Sequence, residues 1–85
     1  SIFVAIDAQT GRVIVGPEVQ ARGFAEDEQV FEAVKPMIIK ALTEAAENGT
    51  RDTHAFSQVI RRTVGRWVNT QHRRRPMIVP VVIEA

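Results

Sequence analysis

The sequence contains no cysteine, which excludes disulfides, thiol nucleophiles and cysteine-ligated zinc together. A reducing compartment suits such a chain, so the cytoplasm is its expected location. Histidine occurs only twice, as His54 and His72. Neither lies near an acidic cluster at metal-ligand spacing, so a zinc set of three or four ligands cannot be drawn. Aromatic residues make up 6% of the chain, with four Phe, one Trp and no Tyr, which leaves few rings on which bases could stack. The five glycines are scattered singly and form no phosphate-cradling loop. No apolar run approaches the roughly 20 residues that span a bilayer, and no basic segment followed by an apolar stretch opens the chain. A membrane partner is therefore not expected. Internal repeats and low-complexity tracts are also missing, which favours one compact unit over residues 1–85.

What the chain does have is an ordinary globular composition, with 45% apolar and 25% charged residues over 85 positions. A chain of this size buries only roughly 60–65% of its unfolded surface, so its core is thin. Eleven Lys and Arg oppose ten Asp and Glu for a net charge of +1, so attraction to a polyanion must come from local patches rather than from the whole-molecule field. The chain begins at Ser1 in strand-like residues without an initiator methionine, which suggests a piece of a longer protein.

Five short stretches carry secondary-structure signals. Ile2 to Ile6 and Val13 to Val15 are β-rich runs around the polar, Gly-containing turn Ala8 to Gly11, and they predict a hairpin. Gly16 and Pro17 then punctuate the chain, and Gly23 and Phe24 lie in a loop or short extended arm. From Asp27 to Glu47 the residues Val30, Val34, Ile38, Leu42 and Ala45, flanked by Phe31 and Ala41, repeat at helical spacing. Pro36 predicts a kink there or a later start near Lys35, and Asn48-Gly49 supplies a left-handed stop. Asp52 or Thr53 can cap a second helix, whose apolar face runs through Phe56, Val59, Ile60, Val64, Trp67 and Val68 to about His72. Met77 to Ile83 is apolar and β-branched, and Pro80, which cannot donate to a ladder, predicts an edge strand or at least one with that N–H side turned away from its partner. The expected fold is α+β in the order ββααβ, with a small three-stranded sheet packed on two helices.

Both faces of that sheet read as apolar. Met77, Val79, Val81 and Ile83 alternate with Ile78 and Val82, while Ile2, Val4 and Ile6 alternate with Phe3 and Ala5. Two helices cover one face, which leaves the other available for an interface. The expected interface residues are Ile2, Val4, Ile6, Met77, Val79, Val81 and Ile83, and the expected partner is a second copy of the domain or the rest of a longer chain. The alternative is that the hairpin folds over and closes the core by itself.

Chemistry-bearing residues are sparse. Ser57 follows His54 by three positions and shares its helix face, but no acid orients the pair and no donor pair marks an oxyanion hole. The sequence supplies no catalytic residue and no metal site. Its functional-looking cluster is basic: Arg61, Arg62 and Arg66 on the second helix, then Arg73, Arg74 and Arg75. Arg62, Arg66 and, if the helix persists that far, Arg73 fall on one stripe beside the apolar face, and Arg62, Arg66, Arg73, Arg74 and Arg75 could contact RNA phosphates. The competing reading is a solvated face whose arginines pair with acidic residues of the first helix.

Two stretches carry a family resemblance. Arg73-Arg74-Arg75-Pro76-Met77-Ile78-Val79-Pro80-Val81-Val82-Ile83-Glu84 is similar to the C-terminal end of the ribonuclease J family. Gly16-Pro17-Glu18 through Arg22-Gly23-Phe24 resembles the segment that follows the hairpin in the same family's C-terminal domain. The resemblance implies a parent of the metallo-β-lactamase/β-CASP class, a zinc-dependent endoribonuclease and 5′ exoribonuclease of bacterial RNA processing and decay. It places the zinc and the catalytic residues in another portion of that parent. The 85 residues here match the appended C-terminal domain, which supports dimerisation, so a homodimer through the sheet face, the catalytic portion of the parent and RNA bound by the parent are the implied partners. No cofactor falls within the segment.

Overall fold

The computed structural model describes residues 1–20, 28–71 and 77–85 of the chain, excluding the side chains of residues 28–30 and 71. Strand β1 spans Ile2–Ile6 and strand β2 spans Val13–Val19. A 3-10 helix over Glu28–Val34 leads directly into α1, Lys35–Glu47, followed by α2, Thr53–Gln71, and strand β3, Pro80–Glu84. The expected α+β order holds, and the sheet runs β2-β1-β3. Phe24, His72 and Arg73 to Arg75 lie outside the described residues, as does the Arg22-Gly23-Phe24 part of the second motif.

Local chemistry explains most boundaries. Pro36 stands at the start of α1, where its missing N–H costs nothing and its fixed φ suits the first helical turn. The apolar periodicity that began before it continues through the tighter 3-10 segment, which brings Phe31 and Val34 into the core. Asn48 ends α1, and Gly49 follows at a φ of +99°. Asp52 accepts the backbone N–H of Ala55 at Oδ2, 3.0 Å away, and so caps α2, which satisfies one of the donors left free at a helix start.

The hairpin departs from expectation at Gly16 and Pro17. β2 does not end there but continues to Val19, with its pairing to β1 shifted between Phe3 and Ala5. Gly16 has a φ of +91°, and a Cβ at that position would stand 2.5 Å from the carbonyl oxygen of Phe3. Only glycine lets the two backbones approach so closely at that φ, so the residues that read as punctuation form an irregular ladder instead.

Strand β3 pairs with β1 in parallel, with Ile2 opposite Pro80, Val4 opposite Val82 and Ile6 opposite Glu84. Parallel neighbours need a long crossover, and the two helices supply it on one face of the sheet. Ile2, Val4 and Ile6 join Phe31, Val34, Ile38, Leu42, Phe56, Ile60, Val64, Trp67 and Val68 in one buried cluster. Phe31 meets Trp67 with ring centroids 5.4 Å apart, a favourable tilted geometry for two rings. Trp67 therefore belongs to the core.

A side chain the sequence did not single out ties the two layers together. Arg51 donates from Nε to the carbonyl of Gln9 at 2.9 Å, and from Nη1 to the carbonyls of Ala46 and Thr50 at 2.8 and 2.7 Å. It thus links the β1–β2 turn to the end of α1, where unpaired carbonyls favour a cation. The turn itself is closed by Asp7, whose Oδ1 accepts the N–H groups of Gln9 and Thr10 at 2.8 and 2.9 Å. Those donors, Thr10 first, hold the Asp7 carboxyl below the usual carboxylate range. Replacing Arg51 with alanine is expected to cost about 1 kcal/mol, since two of its three bonds are exposed to competing water. A urea midpoint unchanged from the parent would refute the link.

Candidate functional site

Among the described residues two surfaces stand out beyond the core. The first is the sheet face turned away from the helices. Ala5 pairs with Val15 on one side and Ile83 on the other, and Phe3 pairs with Glu18 and Val81. Alternation along the strands places these residues on one face, and Val15, Val79, Val81 and Ile83 are all exposed there. A shallow depression of about 350 Å³ lined by Ser1, Phe3, Glu18, Gln20 and Val81 opens on the same side. The hairpin lies flat within the sheet and does not fold over to cover this face.

The expected interface set divides at this point. Ile2, Val4 and Ile6 are 5%, 0% and 1% exposed and are spent in the domain's own core. Met77, Val79, Val81 and Ile83 are 87%, 44%, 39% and 44% exposed. The reason is register. In the parallel pair Ile2, Val4 and Ile6 stand opposite Pro80, Val82 and Glu84, so they share a face with Val82, not with Val81 and Ile83. Ile78 and Val82 are the β3-side residues that pack against the core. Phe3, Val15 and Glu18 complete the outward face, and the two pairing registers are the signal that finds them.

The second surface is the outer side of α2. Arg61, Arg62 and Arg66 are exposed, on a helix whose sequence contains no Asp or Glu. The ion pair formed among the described residues joins Lys35 Nζ to Glu32 Oε2 at 2.7 Å. It leaves the three arginines of α2 without an acidic partner among those residues. The pairing with the first helix that a solvated face would use is thus not found there.

Two further polar contacts on α2 are local to the helix. Ser57 Oγ donates to the carbonyl of Thr53 at 2.9 Å, and Nε2 of His54 lies 3.5 Å from Nε2 of Gln58. Among the described residues no three His, Cys, Asp or Glu side chains could hold a metal ion. No described helix is long and apolar enough to cross a membrane.

In class the structure is an α+β module, a mixed three-stranded sheet with two helices on one face and an apolar face left open. The family profile described as ribonuclease J C-terminal domain matches residues 1–85. The chain belongs to this family. It is 40% identical to ribonuclease J of Mycolicibacterium smegmatis over 84 residues, which cover 99% of the chain and 15% of that protein. It is 34% identical to ribonuclease J of Corynebacterium glutamicum over 98% of the chain and 12% of that protein. Ribonuclease J2 of Bacillus subtilis is 26% identical over 98% of the chain and 16% of its own length. The chain thus spans about 15% of the length of the curated relatives it matches.

Proposed function

We propose that the chain is the non-catalytic C-terminal domain of a cytoplasmic ribonuclease and that it assembles this enzyme by pairing with a second copy through the open sheet face. The observation that carries this reading is the row of exposed Val15, Val79, Val81 and Ile83 on a sheet whose other face is fully used by α1 and α2. Apolar patches of this kind on a soluble domain mark association surfaces, and a two-fold pairing is the simplest closed arrangement. The family supports a ribonuclease parent; in this reading the zinc and the endonuclease and 5′ exonuclease chemistry belong to the portion outside this chain. In this reading the domain supplies packing surface and the parent supplies the donors for metal and water.

Light scattering on a size-exclusion column tests the pairing across a range of concentrations. The chain is expected to run as a dimer at high concentration. Ile83→Asp is expected to raise its dissociation constant roughly 100-fold or more, because an unpaired charge buried at an interface costs several kcal/mol and each 1.4 kcal/mol is a factor of ten. A strict monomer at every concentration overturns the reading.

A further inference from the structure

We infer that the outer face of α2 is a docking surface for the sugar-phosphate backbone of single-stranded RNA. The inference rests on the reading above in one respect, that the parent handles RNA. At about 100° per residue, Arg62 and Arg66 lie about 40° apart and about 140–180° from the line through Ile60 and Val64, which are buried. They point away from the core, with Arg61 on the flank. Gln58 and Asn69, both exposed, extend the same stripe by one turn in each direction. The face therefore presents guanidinium groups between side-chain amides over about three turns, with no acidic residue in the helix to neutralise them.

Each element of this face suits a phosphodiester chain. Guanidinium groups fork onto phosphate oxygens, and they desolvate more easily than ammonium groups. Arg62 and Arg66 rise about 6 Å relative to each other along the helix axis, so they can engage successive segments of one strand. The flanking amides can donate to or accept from ribose hydroxyls. The scarcity of exposed aromatic residues is consistent with a contact that reads charge and backbone and leaves the bases alone. A membrane surface is disfavoured because the stripe carries no apolar anchors among its cations. The surface is separate from the open sheet face, since α2 lies on the opposite side of the sheet, next to β3, with its buried residues in the shared core. One domain can hold a second copy and a strand of RNA at once.

The test is a titration of the isotope-labelled chain with single-stranded oligouridine, followed by backbone amide NMR shifts. Shifts are expected to concentrate between Gln58 and Asn69. With three phosphate contacts, apparent affinity should fall roughly 100-fold between about 20 and 200 mM salt, because each single-strand contact adds about 0.7 to the logarithmic slope. Arg62→Gln with Arg66→Gln should weaken binding and reduce that salt dependence to roughly 5-fold, while the spectrum reports an intact fold. Shifts elsewhere on the chain, no shifts at low salt, or a double variant that binds like the parent would overturn the inference. So would binding to phosphatidylglycerol vesicles in place of oligouridine. A chain that stays monomeric by light scattering but binds oligouridine through α2 removes the sheet-face reading alone. A dimer that ignores oligouridine removes this one alone.

Discussion

Val4→Asp is expected to unfold the chain, while Ile83→Asp on the adjoining strand leaves it folded. The two positions lie on paired strands and turn to opposite faces of the sheet. Val4 is fully buried on the central strand, in a cluster with Ile38, Leu42 and Ile60, and an aspartate there has no cation to pair with inside that cluster. Such a charge costs several kcal/mol even after it neutralises. A domain of 85 residues has about 4–13 kcal/mol of stability in all, so the substitution removes most or all of it. Ile83 is 44% exposed and its aspartate variant stays in water in the single domain. Far-UV circular dichroism at 25 °C decides the matter: Val4→Asp should lose its helical signal, and a cooperative melt close to that of the parent would contradict the register described above.

Phe56→Ala is expected to cost about 3–5 kcal/mol, the usual range for truncating a buried phenylalanine. Phe56 heads the fully buried side chains by volume, and it sits in the first turn of α2, where its N–H reaches the carbonyl of Asp52 at 3.1 Å. Removing its ring empties the core just where the capped end of α2 meets the sheet layer. At about 4–8 °C per kcal/mol for a domain of this length, the melting temperature should fall by about 12–40 °C. Phe56→Leu, which keeps most of the volume, should recover more than half of the loss. A fall of only a few degrees for the alanine variant would show that the surrounding chains collapse into the space.

Much of the architecture was legible in the residues because its causes are local. Pro36 marks the start of α1, Asn48-Gly49 marks its end, and Asp52 caps α2, each through the backbone of its immediate neighbours. The apolar periods of Phe31 to Leu42 and Phe56 to Val68 locate the core faces for the same reason. What stayed hidden depends on pairing across the chain. Alternation sorts Ile2, Val4 and Ile6 from Phe3 and Ala5, and sorts Val81 and Ile83 from Val82. It does not say which set of one strand lies beside which set of the other, and that choice is made by the parallel register with β3. A shift of one residue exchanges the two faces of a strand, which is why three core residues read as interface. Continuation of β2 across Gly16 and Pro17 was hidden because it depends on the approach of Phe3. Arg51 escaped notice because its three acceptors are backbone carbonyls of Gln9, Ala46 and Thr50, which leave no trace in a pattern of side chains.

The parallel partnership of β1 with β3 also sets a clock. Ile6 pairs with Glu84, and at about 5–20 residues per second a ribosome needs about 4–16 s to make the residues between them. During that interval the hairpin and both helices can form, since their contacts are close in sequence, but one side of the central strand has no neighbour. Loop closure over such a separation slows the final step relative to a purely helical domain. The last strand therefore acts as a delayed latch on a nascent chain, and for those seconds the exposed flank of β1 is the place where another extended polypeptide can bind first.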